Sequence, residues 1–156
     1  LDELLMFSDD DFYYLDGWDQ RLERAVELLG DRFPQIGGWN HPFNQHNFSI
    51  ICEDVRVAGV NAVAGGCQVM TVKTWEKFGP FPDNALGVGQ SEDFALSRKI
   101  VDKGFLVGTL VPPVAIHVGL VNSDGVKSTG YVELARQAFD QIQKVDARVE
   151  VQDVAI

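Results

Sequence analysis

Cysteine is scarce: the 156 residues hold only Cys52 and Cys67. That is too few for a disulfide framework, and neither belongs to a CxxC pair of the zinc-binding kind. A reducing, cytoplasmic setting is the expected localisation. Long apolar runs are also missing, since no stretch approaches the roughly 20 residues of a membrane helix, and no basic-then-apolar leader opens the chain. No transmembrane segment is expected. Positive charge is short as well, with 13 Lys and Arg against 23 Asp and Glu and a net charge of -10. Such a field repels phosphate backbones, so nucleic acid is not an expected partner. Internal repeats and low-complexity tracts are absent. What remains is a globular composition, 46% hydrophobic and 23% charged, in a length that fits a single domain.

The apolar run Leu4, Leu5, Met6 and Phe7 has the length of a buried strand and is followed by Ser8 and three aspartates. Trp18, Leu22, Val26 and Leu29 fall at helical spacing, which predicts an amphipathic helix with Asp16 as its cap and Gly30 as its end. Residues 31–49 carry Gly37, Gly38, Pro34, Pro42 and several Asn, His and Gln, the composition of a long irregular loop. Ile50-Ile51-Cys52, Val55-Arg56-Val57-Ala58 and Ala62-Val63-Ala64 read as strands around a glycine corner at Gly65-Gly66. Residues 74–78 read as helical turns stopped by Gly79-Pro80. Ser91 is placed to cap a helix with Glu92 and Asp93 in its first turn, where the macrodipole favours acids, and Gly104 ends it. Leu106-Val107, Leu110-Val111 and Val114-Ala115-Ile116 read as strand pieces around Pro112-Pro113. A last helix is marked by Tyr131, Leu134, Ala138, Ile142 and Val145 before a weakly patterned tail.

Three groups of residues carry chemistry. Asp9, Asp10 and Asp11 stand directly behind a hydrophobic strand, at the end of a strand where α/β sheets place ligands. A hard divalent cation relieves the repulsion among such acids and suits their oxygens, although acidic clusters are more often solvated turns. Glu92 and Asp93 open a helix after a glycine loop. One of the two is a candidate general base, while Ser-Glu-Asp is also an ordinary helix start. His117 ends an apolar strand and is a candidate metal ligand, against the commoner role of a packed, hydrogen-bonded histidine. His41 and His46 have no helix to align them and read weakly.

Taken in order, the Asp9-Asp10-Asp11 strand, Asp16-Gly17-Trp18, Gly65-Gly66, Trp75-Glu76-Lys77-Phe78-Gly79-Pro80-Phe81, Glu92-Asp93 and His117 resemble the catalytic half of family 2-like glycosyltransferases with the GT-A fold. The likeness covers roughly residues 4–119. It implies an α/β fold, a truncated GT-A mixed sheet flanked by helices, as a single partial domain over 1–156, with a family-like core at 1–119 and a C-terminal helix and tail at 120–156. Asp9 and Asp11 match the family's D-x-D motif, which implies that they, with Asp10 between them, hold the Mn2+ or Mg2+ bridging the diphosphate of a nucleotide sugar. Trp75, Glu76, Gly79, Phe81, Glu92 and Asp93 match the later motif that ends in an acid pair. By that match Asp93 is the base toward the acceptor hydroxyl, Glu92 helps to bind the acceptor, and His117 stands where some relatives supply a third metal ligand.

The implied partners are a UDP- or GDP-linked sugar donor and a hydroxyl acceptor. Trp39, Gly65, Gly66 and Gln90 are the expected substrate contacts, with Trp39 offering a flat face to a sugar or else anchoring its loop. The family carries a βαβ nucleotide-binding half before the D-x-D strand, and only Leu1 to Leu5 precede that strand's core here. An unpaired sheet edge is the expected result, and with it a homo-oligomer or a split partner chain. No Q-x-x-R-W segment follows the acid pair, which argues against a processive synthase. Two other readings are a non-catalytic remnant of this fold serving binding or assembly, and an acidic metal-binding domain unrelated to sugars.

Overall fold

A computed structural model describes residues 3–40, 44, 46–81 and 92–117. Eight strands and three helices follow one another as β1 (Leu4–Ser8), β2 (Phe12–Tyr14), α1 (Trp18–Leu29), β3 (Gln35–Gly37), β4 (Phe48–Cys52), β5 (Val55–Gly59), β6 (Cys67–Thr71), α2 (Val72–Phe78), α3 (Glu92–Asp102), β7 (Val107–Leu110) and β8 (Ala115–His117). Six strands form a sheet in the order β1-β6-β3-β7-β5-β4, and β2 pairs with β8 in a small second sheet. The large sheet is mixed: β3 and β7 run parallel, and every other neighbouring pair is antiparallel. The chain is therefore an α/β protein with a six-stranded mixed sheet flanked by helices.

Period-two alternation explains the layers. In β6, Val69 packs into one apolar cluster with Leu22, Ala25, Val26 and Leu29 of α1, while its neighbour Met70 packs into another with Phe78 of α2 and Leu96 and Ile100 of α3. β1 repeats the pattern, with Leu4 and Met6 against the first cluster and Leu5 and Phe7 against the second. Strands covered on both faces are apolar at successive positions, as the sequence of β1 is. The buried face of α1 follows the i, i+3, i+4, i+7 rule from Leu22 to Leu29, and burying each Leu or Val there contributes about 1.5–3 kcal/mol.

Several expectations need correction. Asp16 does not cap α1. Gly17 does, in the left-handed region at φ 72° and without a side-chain bond, so the helix starts one residue later than an aspartate cap requires. The stretch 31–49 is not one irregular loop, because it contains β3 and the start of β4. β3 escapes periodicity since its three residues are all buried and include a polar Gln35 and a glycine. Ala62, Val63 and Ala64 are not a strand: backbone N–H groups of this segment bond to side chains of α3 instead of a neighbouring strand. α2 begins at Val72, two residues earlier than expected, with the Thr71 hydroxyl accepting from the Thr74 N–H. The helix expected over 131–145, the tail, Ser91 and Gln90 lie outside the described residues.

Candidate active site

The tip of β1, the loop between β5 and β6, the first turn of α3 and the end of β8 surround a cleft of about 720 Å³. Asp9, Glu92, Asp93 and His117 line it together, and so do Trp39, Gly65 and Gly66. Residues separated by more than a hundred positions thus share one space.

One wall is built by β2 and β8. Their register sets Phe12 opposite His117, and the two rings stack with centroids 4.7 Å apart. Trp39 closes on both, edge-on to Phe12 at 5.4 Å and tilted over His117 at 5.0 Å. Trp39 is at once a wall of the cleft and an anchor of its loop. The imidazole so held meets Asp11, with Nε2 and Oδ2 3.0 Å apart, while Oδ1 of Asp11 and Nδ1 of His117 are buried without a hydrogen-bond partner among the described residues. Asp11 therefore reaches the cleft through His117. Asp9 is more open to water, and its N–H bonds the Gly66 carbonyl at 3.1 Å. Its carboxyl is held above the usual range, first by partial burial and then by the charge of Asp11. The Glu92 and Asp93 charges act in the same direction, and His117 opposes them. Asp10 is exposed in the turn and does not line the cleft.

The opposite wall is the start of α3. Asp93 is only 5% exposed. Its Oδ2 accepts the Gly65 N–H, and its Oδ1 is buried with no hydrogen-bond partner among the described residues. Glu92, one position earlier, is exposed at the mouth.

Between the walls runs the glycine pair, whose composition now has a cause. A Cβ on Gly65 would lie 2.9 Å from Asp93 Oδ2, and one on Gly66 would lie 2.2 Å from the Phe12 ring and 2.9 Å from Asp9 Oδ2. Gly66 also has φ 86°, a conformation that costs other residues about 1–2 kcal/mol. Only glycine lets the chain thread between the two acids. The Trp75–Phe81 segment serves from beneath: Phe7, Trp75 and Phe81 pack mutually at 4.9–5.1 Å, and Phe7 and Phe81 line the cleft. Glu76 of that segment is exposed and is not part of the lining.

Gln90 lies outside the described residues, as does His41, and His46 is engaged with Asn40 at 2.9 Å. Sequence reasoning missed Phe12 and Gln68, which also line the cleft. A glutamine between Cys67 and Val69 in a β-prone run was the available signal for the second; nothing in the sequence pointed to the first.

Among the described residues no three His, Cys, Asp or Glu side chains stand close enough together to hold a metal on protein ligands alone. A cation of the magnesium type does not need three, because it binds through one or two carboxylates and takes its remaining ligands from phosphates and water. Asp9 with the Asp11–His117 pair, whose buried oxygen and nitrogen lack partners, fits that kind of site. No helix among the described residues is long and apolar enough to cross a membrane. Searches of this chain against protein-family models, curated proteins and solved structures returned no match.

Proposed function

We propose that the chain is a metal-dependent glycosyltransferase of the GT-A kind, moving a sugar from a UDP- or GDP-linked donor to an acceptor hydroxyl. The observation that carries this reading is the buried, unpartnered Oδ1 of Asp93 in the same cleft as Asp9 and the Asp11–His117 pair. Mn2+ or Mg2+ would be held by Asp9 with one further donor from the Asp11–His117 pair, and would supply Lewis-acid neutralisation of the departing diphosphate. The rest of the work falls to the chain's own groups. Asp93 takes the acceptor proton, while the Gly65 N–H on Oδ2 fixes the orientation of the carboxylate. Glu92 at the mouth offers an acceptor to a second hydroxyl, and Trp39 offers part of a ring to the sugar face. Cys52 and Cys67 are free thiols, in keeping with a cytoplasmic setting.

Calorimetric titration with Mn2+, with and without UDP or GDP, tests the reading. Each ligand is expected to tighten the other's binding, since the diphosphate completes the coordination shell. Metal binding indifferent to nucleotide points instead to an acidic metal-binding domain, and absent nucleotide affinity to a non-catalytic remnant. Association through β1, as a homo-oligomer or with a partner chain, belongs to the same proposal. β1 is apolar on both faces, yet among the described residues it pairs only with β6. A strictly monomeric species in light scattering at micromolar concentration would refute that part.

A further inference from the structure

A chain of buried hydrogen bonds runs from the loop before the glycine pair to the cleft. The Val63 backbone N–H, which can only donate, bonds to Ser97 Oγ at 3.0 Å. The Ser97 hydroxyl donates in turn to Gln35 Oε1 at 2.7 Å, and Gln35 Nε2 donates to Gln68 Oε1. Ser97 and Gln35 are fully buried, and Gln68 is 2% exposed. In this arrangement the Gln35 oxygen is engaged by Ser97, its NH2 is given to Gln68, and Gln68 answers with its carbonyl. The end left over is the Gln68 NH2. No hydrogen-bond partner for it occurs among the described residues, and Gln68 lines the cleft.

We infer that Gln68 presents an orientation-locked hydrogen-bond donor to a hydroxyl of the bound substrate, with Gln35 and Ser97 as positioning residues. Asp9, Glu92 and Asp93 face the same space and, when ionised, only accept. A group satisfying both sides must donate to a carboxylate and accept from an amide, which a hydroxyl does and a carboxylate or phosphate does not. The group that meets Gln68 is therefore a hydroxyl, as on the sugar part of a substrate, and this assignment rests on the sugar-transfer reading for its place in the reaction. Ser97 lies one helical turn beyond Asp93, so a single face of α3 holds both the base and the origin of the donor's orientation.

Side-chain amide NMR on the 15N-labelled chain tests this, with glucose, galactose and mannose at millimolar concentration as probes. The Gln35 NH2 is expected to exchange with solvent at least about tenfold more slowly than the Gln68 NH2, being buried and bonded at both ends. At least one hexose should shift the Gln68 amide resonances. Gln68→Met and Gln68→Glu should each weaken that hexose by about fivefold to tenfold while leaving Mn2+–UDP affinity unchanged. Ser97→Ala should reproduce the loss, and Ser97→Thr, which keeps the hydroxyl, should restore binding. A protected Gln68 amide, or one that ignores all three hexoses, overturns the inference even where Mn2+ and UDP bind cooperatively. A hexose response in a chain without Mn2+–nucleotide coupling sustains the inference and removes the transferase reading.

Discussion

The two walls of the cleft solve opposite problems. On the β2–β8 side, the rings of Phe12 and Trp39 pack against His117, which meets Asp11, and the nearby Asp9 carboxyl is pushed upward by burial and by its acidic neighbours. On the α3 side, Asp93 is buried and takes a backbone N–H through one oxygen. The first wall accumulates charge without enough protein donors to balance it, which is the condition a cation relieves. The second is held by the fold itself. Under the proposed function the difference divides the work, with ligand charge managed at one wall and proton transfer positioned at the other.

Removing the base should give the largest effect. Asp93→Asn is expected to lower transfer by about 10²–10⁴-fold, the usual worth of a positioned acid–base group, with Mn2+–UDP binding intact. Comparable turnover in the variant would end that role, and a parallel loss of metal affinity would erase the division between the walls. Gly66→Ala comes next, because it joins a left-handed backbone penalty to a collision with Phe12. A loss of about 2–4 kcal/mol in urea unfolding follows from strain plus overpacking; a midpoint within error of wild type would show that Phe12 yields freely. Asp11→Asn removes the partner of His117 and should weaken Mn2+ in the presence of UDP by about 10–100-fold, read by calorimetry, while any metal-independent hexose binding stays unchanged.

Much of this arrangement was legible in the sequence, and the part that was not has a common cause. The 3.6-residue spacing of α1 and the apolar run of β1 are local patterns, and both elements lie where those patterns put them. Asp9, Glu92, Asp93 and His117 were marked by residue type and order, and one cleft unites them. β3 was invisible because a buried strand of Gln, Ile and Gly shows neither alternation nor a β-branched run. The roles of Phe12 and Gln68 come from register between distant strands: Phe12 faces His117 across β2–β8, and Gln68 lies beside Gly37 and Phe7 in the large sheet. Spacing along a single chain does not encode such pairings. Asp16 as a cap failed for a local reason, the positive φ of Gly17.

The smallest effect sharpens the contrast between the walls through pH. Because burial and the neighbouring acids raise the Asp9 carboxyl above the usual carboxylate range, the folded chain holds that proton more tightly than the unfolded chain does. Its stabilising contribution is complete below the unfolded value and is lost as pH rises through the folded one. At neutral pH the ionised Asp9 is thus a mild burden on the metal-free protein. Asp9→Asn should raise the melting temperature at pH 7 relative to wild type, and the gain should shrink as the pH falls and the wild-type carboxyl takes up its proton. Added Mn2+ should raise the melting temperature of wild type more than that of the variant, since the ion stabilises the charge that the fold leaves crowded. A variant that is less stable than wild type at pH 7 without metal would mean that the fold already satisfies the Asp9 charge, and the case for a cation at that wall would fall with it.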